Sequence, residues 1–183
     1  MLDKIRNRIL KRSIEKFIKG KAVAKLPDLQ RISSVIIILE ESEKQLIRSI
    51  ESNMKQLFGI AYCRFVVLSN QISDTVLQSD LHYEITPKDF GVFSVLKKEK
   101  QEYVRRLPAT FLLVNMASEH LDISDYLSTL PRANFRVCFH ESPHVGIYDL
   151  VIDNSKNASR VNDVQVLYQY LNALTGGKEP MER

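Results

Sequence analysis

Hydrophobic residues recur along this chain in two rhythms, and their alternation sets the expected architecture. Short unbroken runs, Ser34 to Leu39 (SVIIIL), Tyr62 to Leu68 (YCRFVVL) and Thr110 to Met116 (TFLLVNM), have the two-sided apolar character of strands buried in a parallel sheet. Leu81 to Thr86, Phe135 to Phe139 and Ile147 to Ile152 are further runs of this kind, and Phe90 to Val95 suits a short strand or an irregular turn. Between them apolar residues fall three and four apart. Ile47, Ile50, Met54 and Leu57 form one helical stripe, and Val164, Leu167, Leu171 and Leu174 another. Ser42 and Gln45 have the S-x-x-Q spacing of a capping box heading the first stripe, and Gly59 stops it. Asn162 caps the last helix on this pattern, and Gly176-Gly177 ends it. A charged helix over 97–107, closed by Pro108, and a short helix over 124–130, ended by Pro131, complete the set. Strands alternating with helices predict an α/β fold: a three-layer, Rossmann- or flavodoxin-like, mostly parallel sheet with right-handed crossovers.

A different pattern precedes the first strand. Residues 1–24 contain good helix formers and no proline, with Gly20 only near the end. At about 100° per residue, Lys4, Arg8, Lys11, Arg12 and Lys19 share one arc. Leu2, Ile5, Ile9, Leu10, Ile14, Phe17 and Ile18 spread over the rest, interrupted by Arg6 and Lys21. So broad an apolar face needs cover from its own domain, a second copy or a membrane interface. The pattern divides the chain into a basic amphipathic helix, residues 1–26, and one α/β domain, residues 27–183.

Charge sharpens that division. Nine Lys or Arg against Asp3 and Glu15 give residues 1–25 a net +7, which leaves −3 for the rest of a chain whose total is +4. A basic arm on a mildly acidic body points to an anionic partner, whether a membrane surface, an acidic protein face or nucleic acid. Nucleic acid is disfavoured because Phe17 is the arm's lone stacking group. Two cysteines without CxxC spacing, a longest aliphatic run of only Val35 to Leu39, and charge from residue 3 onward predict a cytoplasmic chain without disulfides or membrane span.

In a doubly wound sheet, ligands bind beyond the carboxyl ends of the strands. Those ends carry Glu40 and Glu41, Ser69 and Asn70, Lys88 and Asp89, Asn115 and Ser118, and His140. Glu40, Asn70, Asp89, Asn115 and His140 are therefore the candidate ligand crevice. No cofactor is expected there. Glu40-Glu41-Ser42-Glu43 stands where a glycine-rich turn would cradle a pyrophosphate, and no G-x-x-x-x-G-K-[ST] occurs. His140-Glu141-Ser142-Pro143-His144 satisfies H-E-x-x-H, yet that chemistry needs both histidines on one helical face. Pro143 and the flanking strands predict a loop, so no metal site is expected. No G-x-S-x-G elbow is present, and Cys138 is expected to be a buried, inert thiol.

The segments VIIILEESEKQLIRSIESNM, FLLVNMASEHLDISDYLSTLPRANFRV and YDLVID resemble, in this order, a Bacteroidetes family described only as a domain of unknown function. The resemblance covers about Ile36 to Leu174, plus a basic N-terminal helix, and implies the α/β fold without supplying an activity. Leu112 to Val137 also resembles the N-terminal lobe of heptosyltransferase-type glycosyltransferases through Asn115, Ala133, Arg136 and Val137. Cys138 replaces the glycine of that layout, and no second lobe follows to hold a sugar-nucleotide donor. Two function classes follow. One is a non-catalytic binding or adaptor module whose basic helix meets an anionic surface or protein partner. The other is a small or degenerate enzyme holding a phosphorylated or sugar-like ligand at the carboxyl edge.

Overall fold

The three strongest aliphatic runs become the centre of one sheet. β1 (Ser34–Glu40) lies between β2 (Tyr62–Leu68) and β4 (Thr110–Asn115), with β3 (His82–Ile85), β5 (Ala133–Cys138) and β6 (Leu150–Val151) outside them in the order β3-β2-β1-β4-β5-β6. Every neighbouring pair is parallel, and Ile37 stands opposite Phe65 on one side and Val114 on the other. The computed structural model describes residues 2–69, 82–91, 95–108, 110–153 and 160–176, with the backbone alone for residues 2–7.

Strand alternation divides the core into two layers. Val35, Ile37 and Leu39 face α2 (Ile47–Phe58) and α5 (Arg160–Leu174), whose stripes Ile50, Met54, Leu167 and Leu171 are fully buried. Ile36 and Ile38 face the other way, toward α1 (Leu2–Gly20), α3 (Lys98–Arg106) and α4 (Leu121–Ser128). Both faces of β1 are dry. Val35 to Leu39 each retain at most 2% exposure, and burying each such side chain is worth about 1.5–3 kcal/mol. The fold is thus a three-layer α/β sandwich.

The N-terminal helix packs within the chain. Leu10 and Ile14 are buried among Tyr126, Leu127, Ile147 and Tyr148, on the α3–α4 side of the sheet. Ile18 lies so close to Gly146 that a Cβ there would come within 3.0 Å of its Cγ2. Lys21, which interrupts the apolar sector, donates to the Ile147 carbonyl at 2.8 Å and pairs with Asp149 at 2.5 Å. A charge on the apolar side is thereby neutralised inside the fold.

Several boundaries differ from the sequence pattern for local reasons. The helix expected to reach residue 24 ends at Gly20. The capping box is Glu40 with Glu43, not Ser42 with Gln45. It opens a 3₁₀ turn, Glu41–Leu46, which delays α2 to Ile47. Gly59 then ends α2 at φ 65°, a left-handed position that disfavours a side chain. α4 starts at Leu121 because Ser124, expected at its head, lies inside it and bonds back to the Leu121 carbonyl. The run expected as a strand over 147–152 pairs only at Leu150–Val151, after a 3₁₀ turn at Val145–Ile147. Phe90 to Val95 gives one antiparallel bridge, Phe90 with Leu96, and its residues 92–94 lie outside the described ones. Asn162 falls in the first turn of α5 rather than before it. Among the described residues no helix is long and apolar enough to cross a membrane.

Candidate functional site

Strands β1 and β4 are neighbours whose chains continue in opposite directions across the sheet, which places the topological switch point at their carboxyl ends. Glu40, the last residue of β1, is 2% exposed there. Its Oε1 accepts the backbone N–H groups of Glu119 and His120 at 3.3 and 3.1 Å, and its Oε2 lies 3.0 Å from His120 Nδ1. The side chain therefore bridges β1 to the loop between β4 and α4. Glu119 is exposed, and ligand atoms of Glu40, Glu119 and His120 all lie within 4.8 Å of one another. Lys44 nearby pairs with Glu84, while Arg160 pairs with Glu43 and Asp163.

Asn115, last in β4, has no exposed surface. Its amide donates to Ser124 Oγ at 3.1 Å and to Tyr148 Oη at 2.6 Å. Tyr148 in turn donates to Asp125, which also accepts from Ser142 at 2.6 Å. His140 sits 3.7 Å from the same carboxylate, outside hydrogen-bond distance, and both its ring nitrogens are buried without a hydrogen-bond partner. Asn115 thus joins a buried network through Tyr148 and Asp125, His140 packs beside it with its ring edge-on to Tyr148 at 6.3 Å, and Glu40 belongs to the adjoining bridge. Burial pushes the Tyr148 hydroxyl up, assisted by the Asp125 charge, so it remains a donor at ordinary pH.

The other candidates are placed differently. Asp89 accepts from the Thr86 amide and hydroxyl at 2.9 and 3.0 Å, which fixes the turn Pro87–Asp89, and it meets Lys100 at 3.5 Å. Asn70 lies outside the described residues. His140 to His144 forms a loop and turn rather than a helix. His140 turns to Asp125 and His144 to Asp122, so the H-E-x-x-H histidines meet different carboxylates of α4. Cys138 is buried, and burial pushes its thiol up to about 12, as expected for an inert sulfur.

The N-terminal helix has the opposite character. Arg8, Lys11, Arg12 and Lys19 are exposed on α1, whereas the side chain of Lys4 lies outside the described ones. Two grooves flank the C-terminal end of this helix. One, of about 460 Å³, is bordered by Lys16 and Arg105; the other, of about 670 Å³, by Lys21, Lys25, Arg132 and Arg136. Neither is lined by a carboxylate among the described residues. Arg136 is buried, donating to the carbonyls of Ser128, Pro131 and Ala133 and stacking on Phe17 at 4.7 Å. Sequence reasoning identified the basic arc of the helix but missed the grooves. Their walls come from residues between 13 and 25, from Val95, Gln101, Arg105, Phe111 and Tyr126, and from residues 129–136, which only the tertiary fold brings together. It missed the Glu40–Glu119–His120 group for the same reason, since 79 residues separate Glu40 from Glu119.

The description "Family of unknown function (DUF6913)" matches residues 6–174, and the chain belongs to that family. Neither the curated proteins nor the solved structures yield a match.

Proposed function

We propose that this member of a family without assigned activity is a non-catalytic binding module whose basic N-terminal helix docks an anionic partner, either an acidic protein face or an acidic surface. The carrying observation is the two-sidedness of α1. Its apolar side is already covered by its own domain through Leu10 and Ile14, while Arg8, Lys11, Arg12 and Lys19 stay in solvent. Four exposed cations with Glu15 among them leave this arc with a net positive charge, beyond what pairing along the helix neutralises. Lys16 and Lys25 lie on the same segment, and Arg105 and Arg132 border the adjoining grooves, so positive charge extends beyond the helix.

The alternative, a phosphorylated or sugar-like ligand at the carboxyl edge, has less support. Glu40, Glu41, Glu43 and Glu119 give that edge a negative field, which opposes a phosphate. Arg136, the arginine of the heptosyltransferase-like layout, directs its donors to backbone carbonyls at the other end of β5. The test is binding of the full chain to two anionic probes, a poly-glutamate peptide and phosphatidylserine vesicles. Binding to at least one probe should weaken steeply with salt. It should be lost when Arg8, Lys11, Arg12 and Lys19 are all changed to Gln, with thermal stability unchanged. A quadruple variant that binds both probes as the parent does, or a parent that binds neither, overturns the proposal.

A further inference from the structure

We infer that Glu40, Glu119 and His120 form a site for a divalent transition-metal ion, zinc foremost, at the switch point between β1 and β4. The inference is independent of the docking role of α1, which uses none of these three residues.

The first argument is convergence of donors. Two carboxylates and one imidazole, from the end of β1 and the loop after β4, bring ligand atoms within 4.8 Å of one another. Mixed nitrogen and oxygen donors suit zinc and its neighbours, and are a poor match for magnesium or calcium. The spacing also fits. Two ligands of one tetrahedral zinc, each at about 2.0–2.1 Å, stand roughly 3.3 Å apart. Glu40 Oε2 and His120 Nδ1 are 3.0 Å apart, so a cation can replace the proton between them with a shift of a few tenths of an ångström.

The second argument is charge. The Glu40 side chain is only 3% exposed, and a second carboxylate, that of Glu119, is held beside it. Two carboxylates set beside one imidazole present a divalent cation with negative charge on more than one side. The permanent cations of the neighbourhood face elsewhere: Lys44 toward Glu84, Arg160 toward Glu43 and Asp163. A buried carboxylate without a fixed counter-charge is the setting in which a metal ion is most useful.

The third argument is preorganisation. Glu40 Oε1 is anchored by the N–H groups of Glu119 and His120, which fixes the carboxylate plane and leaves Oε2 directed at the imidazole. Ligating carboxylates in metal sites are oriented by outer hydrogen bonds in this manner. Three protein ligands leave a fourth position for water or for an oxygen of a bound molecule.

The test is calorimetric titration of metal-stripped, full-length protein with zinc and with manganese, using magnesium as control. One equivalent of zinc should bind, and it should raise the melting temperature because only the folded chain assembles the site. Glu119→Gln, at an exposed position the fold tolerates, should weaken zinc binding by about tenfold or more, and His120→Asn should do likewise. His144→Ala, on the H-E-x-x-H loop, should leave it unchanged. Absence of saturable zinc binding overturns the inference. So does binding that survives both Glu119→Gln and His120→Asn, or that is lost in His144→Ala.

Discussion

At the carboxyl ends of β1, β4 and β5, polar side chains are buried and bonded to one another. Glu40 bridges to the amides of residues 119 and 120, and Asn115, Tyr148, Asp125 and Ser142 form a continuous hydrogen-bonded network. Over the amino ends of β4 and β5, by contrast, charge is displayed. Exposed Lys25 and Arg132 border an open groove, beside a helix whose basic arc faces water. The two ends share one sheet and differ in what holds their polar groups. Groups at the carboxyl end are fixed by partners within the protein, so substitution there should cost stability. At the amino end Lys21 and Arg136 are fixed in the same way, but the exposed cations of α1 face solvent, so substitution of those should alter binding alone.

The largest effect is expected from Asp125→Ala. Asp125 has no exposed surface and accepts from both Ser142 and Tyr148, so its loss removes the acceptor of the buried Ser142 hydroxyl and leaves Tyr148 only the Ser128 hydroxyl at 3.1 Å. A destabilisation of about 4 kcal/mol is expected in urea denaturation. A midpoint shift equivalent to less than about 1 kcal/mol would break the comparison, by showing the network to be dispensable. Next comes Ile14→Ala, which leaves a cavity where α1 meets the body and should cost about 3 kcal/mol. If Ile14→Ala proves neutral, α1 is not held by its own domain, and the two-sided account of the helix fails with it.

Alkaline titration sharpens the contrast by removing charge placement from it. Cys63 lies near the amino end of β2 and Cys138 at the carboxyl end of β5, and burial pushes both thiols up to about 12 from 9.0. The unfolded thiol ionises first, so each contribution is intact below pH 9.0 and declines as pH rises toward 12. The loss is on the order of 2 kcal/mol per thiol near pH 11. Cys63→Ala and Cys138→Ala should each flatten the pH dependence of stability to a similar extent. Flattening by only one of them would show that the two ends bury their groups unequally. The smallest effect belongs to Arg8, Lys11, Arg12 and Lys19 changed singly to Gln, each within about 0.5 kcal/mol of the parent in thermal denaturation.

The sequence is informative where one physical demand dominates. β1 and β2 were legible because their residues are apolar on both sides, a pattern that only a central strand of a parallel sheet requires. The 3-4-3 stripes of α2 and α5 were legible for the same reason over Ile47, Ile50, Met54, Val164, Leu167 and Leu171, which are buried, but not at their last positions: Leu57 is half-buried beside a buried Phe58, and Leu174 is exposed. Misplacement arose where two local signals competed. Ser42 and Glu40 both suit a cap, and the extended backbone at the end of β1 decided for Glu40. Leu150 and Val151 continue a strand only after Asp149 has capped the Arg136 amide with its side chain, a bond that no periodicity reveals. At the candidate site, placing polar residues at strand ends identified Glu40, Asn115 and His140. Their partners Asp125, Tyr148 and His120 come from helices and loops whose direction depends on tertiary packing.

The clasp of Lys21 on Ile147 and Asp149 also bears on the order in which the chain is made. The acceptor carbonyl lies 126 residues after its donor, so a growing chain presents α1 well before the segment that receives it exists. At roughly 5–20 residues per second, this interval lasts roughly 6–25 seconds. Throughout it the seat of Leu10 and Ile14 is incomplete, lacking Ile147 and Tyr148. The basic arc that marks the finished helix also keeps the nascent one charged. Like-charge repulsion opposes association of such segments on neighbouring chains.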